Sequence, residues 1–146
     1  MFYSSLLLPE FNHDPENELI SYSLITSASV TGNPIAYASS TFFHYTGYSE
    51  EEVYGRDCNF LQGPDTSAKD VLAIIRGLKS QRPFEVTILN YKKDGIPFWC
   101  QLQITPLKVC NGRTLRFSAH QTPLCEIHDG AMAPVSFGPT LEPTII

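Results

Sequence analysis

The second half of the chain contains three β-type segments separated by two tight-turn signals. Apolar and polar residues alternate through residues 84–92, 96–107 and 114–121, as they do in strands that bury one face. The pairs Asp94-Gly95 and Asn111-Gly112 stand between these segments, and such pairs favour tight hairpin turns. The sequence therefore predicts three consecutive antiparallel strands, and any fold proposed for the chain must contain them.

A further pair of strands is predicted near the N-terminus. Residues 19–28 and 34–38 contain β-favouring side chains and flank the turn-forming segment Gly32-Asn33-Pro34. Runs of this composition around a Gly-Asn-Pro turn are typical of a hairpin. The chain is therefore expected to open its folded part with two strands.

Short helices are predicted between the hairpin and the three later strands. One covers residues 40–45 and ends near Gly47, and another begins with the capping box at residues 49–52. A third begins at Ser67 and carries one apolar stripe at i, i+3, i+4 and i+7. Two strands, short helices and three sequential strands indicate an α+β fold, with a five-stranded antiparallel sheet and helices on one of its faces.

The length of 146 residues fits one domain. Residues 1–17 are mostly polar after an apolar start and are expected to form an N-terminal tail or small cap. Residues 126–146 are rich in Gly and Pro without apolar periodicity, which predicts a flexible C-terminal tail. The folded domain is therefore expected to occupy residues 18–125.

Composition and charge exclude several classes of protein. Hydrophobic residues make up 42% and charged residues 17% of the chain, an ordinary globular composition. With 10 Lys and Arg against 15 Asp and Glu, the chain lacks the clustered positive charge that nucleic acids and anionic membranes require. No apolar stretch is long enough to span a bilayer. We therefore expect neither a nucleic-acid partner nor a membrane partner.

The four cysteines, at positions 58, 100, 110 and 125, form no C-x-x-C pair. Their spacing suits neither a zinc site nor a dense disulfide framework, so no metal is expected. Reduced thiols are typical of a cytoplasmic protein, and a nuclear one is also compatible. No acid–base pair, nucleophile triad or phosphate loop is visible, so the chain is not expected to be an enzyme.

Strand parity predicts polar side chains on the buried face of the sheet. Residues two apart in a strand share a face, which places Asn90, Cys100 and Gln121 among apolar neighbours. Each buried amide group left without a partner costs about 1–3 kcal/mol. Either these side chains pair with each other, or a polar planar group lies between the sheet and the helices.

The segment at residues 55–66 reads Gly-Arg-Asp-Cys-Asn-Phe-Leu-Gln-Gly-Pro-Asp-Thr. It resembles the signature Gly-x-Asn-Cys-Arg-Phe-Leu-Gln of the LOV family, the blue-light-sensing flavin subclass of PAS domains. Further matches lie, in chain order, at residues 37–39, Phe42, 46–49, 90–99 and 117–121. Several motifs in the right order make a more specific match than any one of them alone.

The resemblance implies a PAS fold that holds a flavin between the sheet and the helices, and a role in blue-light signal transduction. Cys58 would form a reversible adduct with flavin carbon C4a. Gln121 would bond O4 and N5 and reorient when N5 gains a proton, Asn90 would meet the pyrimidine edge, and Gln62 would meet the ribityl chain. The apolar residues expected to wall the ring are Ile35, Phe60, Leu61, Ile74, Leu102 and Phe117.

Two departures from the family pattern concern the ring. Asp57 replaces the asparagine beside the reactive cysteine, and its carboxylate should keep the thiol protonated. Cys100 stands where the family has a second asparagine on the pyrimidine edge, and a thiol is a poor hydrogen-bond partner. Cys100 is therefore expected to be a cofactor-binding residue that binds the ring less well than the usual asparagine.

Two further departures concern the cofactor phosphate. Asn59 replaces an arginine that holds the phosphate in the family, and Ile75 falls where a second arginine belongs. Arg76 is one residue away and could serve only if the preceding loop shifted register, because it points about 100° around the helix. FMN is the expected cofactor, with riboflavin as the alternative.

Two other functions remain open from the sequence. The chain could be a flavin redox sensor without adduct chemistry, or a cofactor-free PAS module for protein interaction. A homodimer through the outer sheet face or the termini is a possible assembly. With one domain expected, the effector protein or domain is not identified.

Overall fold

The computed structural model describes residues 20–28 and 32–137. The elements within these residues are β1 (Tyr22–Ser27), β2 (Ile35–Ala38), α1 (Ser40–Thr46), α2 (Glu50–Val53), a 3-10 helix (Cys58–Leu61), α3 (Ala68–Ser80), β3 (Phe84–Tyr91), β4 (Pro97–Lys108), β5 (Thr114–His128) and β6 (Ala131–Ala133).

The strands form one antiparallel sheet in the order β2-β1-β5-β4-β3, and β6 also pairs with β5. The predicted hairpin is β1–β2, and the three later strands pair in sequence as expected. Strands β3 and β4 end within one residue of their predicted limits. The α+β architecture inferred from the order of elements is confirmed.

The helix limits follow the capping signals in the sequence. Helix α1 ends at Gly47, whose φ of 86° few other residues adopt without strain. Ser49 and Glu52 form the predicted capping box, with the Ser49 N–H donating to Glu52 Oε1 at 2.9 Å. The Ser67 side chain accepts a hydrogen bond from the Lys69 N–H at 3.1 Å and caps α3.

An aromatic cluster fills the core under α1. The Tyr22 and Phe42 rings meet edge to face with centroids 5.2 Å apart, and Tyr45 meets Phe98 in the same way at 5.1 Å. All four side chains are at most 2% exposed. The cluster fastens α1 to β1 and β4, and it leaves the inner sheet face beneath α3 for other contacts.

The predicted C-terminal boundary at residue 125 is wrong, because it falls inside β5. Cys100 pairs with Pro123 and Trp99 pairs with Cys125, so Leu124 is an extra residue in a β-bulge. Strand β5 then continues to His128, and a turn leads into β6. Gly130, one of the residues that suggested a flexible tail, lies in this turn with a φ of 79°. The predicted segment 1–17 and residues 138–146 lie outside the described part of the chain.

A buried ionic network joins the end of β5 to the segment after β6. Glu126 is fully buried, and its Oε2 lies 2.9 Å from Lys92 Nζ and accepts a hydrogen bond from Tyr45 Oη at 2.6 Å. His128 Nε2 lies 2.8 Å from Glu126 Oε1, and the Ser136 N–H donates to Oε2 at 3.2 Å. Lys92 Nζ also donates to the Ser136 carbonyl at 2.9 Å. These contacts hold the chain after β6 against α1 and the end of β3.

Candidate functional site

A cavity of about 410 Å³ lies between the inner sheet face and the 3-10 helix with α3. Its volume is within the usual range for small-molecule sites. Most of its wall is apolar, with a few polar side chains. The lining residues are Thr26, Gly32, Asn33, Asp57, Cys58, Asn59, Leu61, Gln62, Val71, Ile74, Ile75, Leu78, Lys79, Ile88, Asn90, Leu102, Ile104, Phe117, Ala119 and Gln121.

Cys58 begins the 3-10 helix and lines the cavity. Asp57 caps this helix, since its Oδ1 accepts a hydrogen bond from the Asn59 N–H at 3.0 Å. Burial, with a smaller contribution from the Asp57 carboxylate, raises the pKa of the Cys58 thiol to about 12. The effect of Asp57 has the predicted direction. At neutral pH the sulfur at this wall of the cavity therefore carries its proton.

The loop after the 3-10 helix is fastened to β3. The Gly63 N–H donates to Thr66 Oγ1 at 3.0 Å, and that hydroxyl donates to the Leu89 carbonyl at 2.7 Å. A Cβ at Gly63 would lie 2.4 Å from the Tyr91 ring, so only glycine allows this close approach. The loop thereby holds Gln62 at the cavity wall, where the sequence placed it.

Asn90 and Gln121 face the cavity from β3 and β5, as parity predicted. They are only 4% and 3% exposed. The Asn90 side chain makes no hydrogen bond to any residue in the described ranges, and neither does the Gln121 amide nitrogen. Buried amides almost always have partners, so this wall offers donors and acceptors to a molecule in the cavity.

Cys100 does not line the cavity, although the sequence predicted a cofactor-binding residue there. Its side chain is fully buried behind Gln121, with Sγ 3.9 Å from Gln121 Oε1. The strand register explains this placement. Gln121 pairs with Leu102, whereas Cys100 pairs with Pro123, farther along β5. The thiol therefore lies beside the amide and away from the cavity surface.

The residue of α3 that was considered for phosphate binding also lies outside the cavity wall. Arg76 is exposed and does not line the cavity, whereas Ile75 and Lys79 do. Adjacent residues in a helix point about 100° apart, and residues four apart share a face. Lys79 escaped the sequence analysis, but its spacing of four from Ile75 could have identified it. Asn59 lines the cavity as expected.

The apolar walls were predicted in part. Leu61, Ile74, Leu102 and Phe117 line the cavity, whereas Ile35 and Phe60 do not. Ile35 belongs to the buried core, and the Phe60 ring packs edge to face on Tyr48 with centroids 5.0 Å apart. Four further sheet residues line the wall, and the three on β3, β4 and β5 lie on the inner face that parity defined. The four are Thr26, Ile88, Ile104 and Ala119.

The chain matches known proteins over most of the described region. A family model described as a PAS domain matches residues 22–120. The LOV domain of a blue-light activated histidine kinase from Erythrobacter litoralis is 32% identical with a TM-score of 0.68, and the match covers 73% of this chain and 98% of that one. The chain belongs to the LOV family of PAS domains. The light-state structure of the Aureochrome1 LOV domain is 36% identical with a TM-score of 0.69, over 70% of this chain and 80% of that one.

Curated relatives of this LOV domain are much longer proteins. Phototropin-2 from Oryza sativa subsp. japonica is 44% identical over 107 residues, which are 73% of this chain and 12% of the relative. A blue-light-activated histidine kinase from Brucella anthropi is 44% identical over 98 residues, 67% of this chain and 20% of the relative. The chain therefore spans at most a fifth of either relative's length.

The described part of this LOV domain shows neither a cluster of His, Cys, Asp and Glu side chains that could hold a metal ion nor a helix long and apolar enough to cross a membrane. Its cavity instead combines a protonated thiol, two amides with open hydrogen-bonding capacity and an apolar wall. This arrangement suits a planar ligand with a polar edge.

Proposed function

We propose that this LOV domain is a blue-light sensor, in which a flavin occupies the cavity and Cys58 forms a reversible bond to flavin carbon C4a. The observation that carries the proposal is that Cys58, Asn90 and Gln121 line one cavity. The names of the relatives, a phototropin and a blue-light-activated histidine kinase, support the same function.

The cavity wall suits a flavin ring. The ring has apolar faces and an edge that carries both hydrogen-bond donors and acceptors. Leu102 and Phe117 on the sheet, with Leu61 and Ile74 on the helical side, provide apolar contact. An amide side chain offers both a donor and an acceptor, so Asn90 and Gln121 can each satisfy such an edge.

When bound, the flavin supplies the absorption of blue light and the electron-poor C4a–N5 bond. The Cys58 thiol would add across that bond, its sulfur going to C4a and its proton to N5. Since the pKa of Cys58 is raised to about 12, the proton is present on the sulfur before the reaction. In darkness the sulfur would leave C4a and recover the proton, which would restore the starting state.

Gln121 would change its hydrogen bonding when N5 gains a proton. Before the reaction N5 is an acceptor, which the Gln121 amide N–H can meet. After the reaction N5 would carry a proton, and the Gln121 carbonyl would then be the matching group. A rotated amide at the centre of β5 alters hydrogen bonding in the strand that joins β1, β4 and β6.

The cofactor is inferred to be FMN, although the two phosphate arginines of the family are absent. Lys79 lines the cavity and forms no ion pair with any residue of the described chain. An ammonium group there could bind a phosphate in place of the arginines, as a single point charge. Asp57 also lines the cavity and would oppose a phosphate. Riboflavin is the competing ligand if Lys79 does not reach the phosphate.

The relatives also suggest how the domain is used. The matching region is a small part of a phototropin and of a histidine kinase. We infer that the domain is the sensory part of a signalling system, with the effector activity located elsewhere.

Absorption spectroscopy tests the proposed function directly. The purified protein, loaded with FMN or riboflavin, should be yellow, should lose its visible absorption under blue light and should regain it in darkness. Chromatography of the released cofactor then identifies the flavin. A protein that remains colourless after exposure to either flavin would contradict the proposal.

A further inference from the structure

We propose that Cys100 is a positioning residue for Gln121, holding the amide through a thiol hydrogen bond in the orientation that precedes the light reaction. The inference deepens the proposed function and rests on it for the role of Gln121. It assigns a role to the thiol that replaces the asparagine of the family pattern.

Three strands bring the relevant side chains together. Tyr22 on β1 pairs directly with Gln121 on β5, and Cys100 lies on the neighbouring strand β4. Cys100 Sγ lies 3.9 Å from two acceptors, the Gln101 carbonyl oxygen and Gln121 Oε1, and of these only Gln121 Oε1 belongs to a side chain that can turn. All three side chains are at most 3% exposed. Water therefore cannot readily replace the thiol as a partner of this amide.

The thiol has the protonation state that the hydrogen bond needs. Burial raises the pKa of Cys100 to about 12, although contacts with Tyr22 and the Thr122 backbone partly offset this effect. The S–H is therefore present at neutral pH and can donate to Oε1. With Oε1 directed at the sulfur, the amide nitrogen is left for the cavity, where it makes no bond to a described residue.

The Cys100 thiol can also form a hydrogen bond with the Gln121 amide after that amide has rotated, because sulfur accepts hydrogen bonds weakly. After the amide turns, its N–H groups would face Cys100 Sγ. The Tyr22 hydroxyl is buried next to this thiol and has no partner in hydrogen-bond geometry among the described residues. Tyr22 can then orient the sulfur, since its O–H has no other acceptor in the described part.

The alternative is that Cys100 only fills space in the core. Serine at position 100 keeps a donor and acceptor, whereas alanine removes both. Comparison of Cys100→Ser with Cys100→Ala therefore separates hydrogen bonding from packing. Cys125→Ala is a matched control, because Cys125 is a partly buried thiol on β5 that does not line the cavity.

The infrared S–H stretching band of Cys100 gives a readout that requires neither flavin nor light. It is measured in darkness in a Cys58→Ala background and assigned by its loss in Cys100→Ala. Replacing Gln121 by Leu, or by Met should Leu prevent folding, should shift this band to higher frequency, because the side-chain acceptor is lost and only the Gln101 carbonyl remains. An unshifted band in a folded variant would overturn the inference, whether or not the protein binds flavin.

Dark recovery gives the second readout, with Cys58 retained. Cys100→Ala should slow recovery by about threefold or more, because the returning amide no longer gains the thiol bond. Cys100→Ser and Cys125→Ala should recover within about twofold of the unaltered protein. Equal recovery in the Ala and Ser variants would contradict a positioning role. Failure of every variant to bleach would instead contradict the proposed light function.

Discussion

Lys92 Nζ lies 2.9 Å from Glu126 Oε2, and the two side chains are only 5% and 0% exposed. Removing one partner of such a pair leaves a buried charge alone and costs about 3–5 kcal/mol. Lys92→Met should therefore lower the free energy of unfolding by an amount in this range, measured by urea titration. The double variant Lys92→Met/Glu126→Leu should be less destabilised than Lys92→Met.

The surface pair Lys93–Glu52 provides a matched control. Its Nζ–Oε2 distance is 2.8 Å, but the side chains are 52% and 36% exposed. Exposed pairs contribute up to about 1 kcal/mol, so Lys93→Met should have a small effect. Equal costs for Lys92→Met and Lys93→Met would show that the buried network does not stabilise the domain.

The same network predicts a pH dependence. Burial acts to raise the pKa of Glu126, but hydrogen bonds from Tyr45, His128, Lys92 and Ser136 together hold the pKa below its usual value of 4.5. A lowered pKa in the folded state contributes stability above pH 4.5, which is lost as the pH falls toward the folded pKa.

The measurement is the free energy of unfolding, followed from pH 6 to about pH 3 in the unaltered protein and in Glu126→Gln. The unaltered protein should lose stability more steeply with acid, because the glutamine does not titrate. Parallel curves for the two proteins would contradict this assignment.

Much of the fold could be predicted because its signals are local. Strand alternation, turn pairs and capping residues each act within a few positions, and they set most elements to within a residue or two. The bulge at Leu124 is different, since it depends on pairing with β4. Counted in steps of two from Gln121, Glu126 would fall on the outer face. The bulge turns it inward, so sequence parity could not predict the buried ion pair.

The residues of the candidate site likewise fall into those set by local sequence signals and those set by contacts between distant segments. Cys58, Asn90 and Gln121 line the cavity as expected, because a motif and strand parity specify them. Cys100 lies away from the cavity because its position depends on the register between β4 and β5, whereas Arg76 lies outside the wall because the preceding loop does not shift the register of α3. The register cannot be determined from the residues alone, whereas the apolar stripe of α3 does indicate which face of the helix meets the cavity.

Lys79 should determine the preference for a phosphorylated flavin. Lys79→Gln is expected to weaken FMN binding about tenfold, as the loss of one charge-assisted hydrogen bond predicts, and to leave riboflavin binding unchanged. Flavin titration of the apoprotein measures both affinities. Lys69→Gln is the control, since Lys69 lies on α3 but does not line the cavity. Equal weakening of both flavins would contradict a phosphate contact.

Gly63 should tolerate no larger residue. Gly63→Ala would place its Cβ 2.4 Å from the Tyr91 ring, and such overpacking costs about 1–3 kcal/mol. The variant should be less stable and should bind flavin more weakly, because the loop that holds Gln62 must move. Tyr91→Leu in the same chain should recover part of the flavin affinity. An unchanged affinity in Gly63→Ala would show that this contact does not position the loop.

The proposed role of Cys58 in the light reaction is tested by the visible absorption of Cys58→Ala, measured before and after blue light. The control is Cys110→Ala, because Cys110 is an exposed cysteine away from the cavity. We expect all three proteins to bind flavin, with bleaching and dark recovery in the unaltered protein and in Cys110→Ala only. A Cys58→Ala protein that bleaches and recovers like the unaltered protein would contradict this role of Cys58.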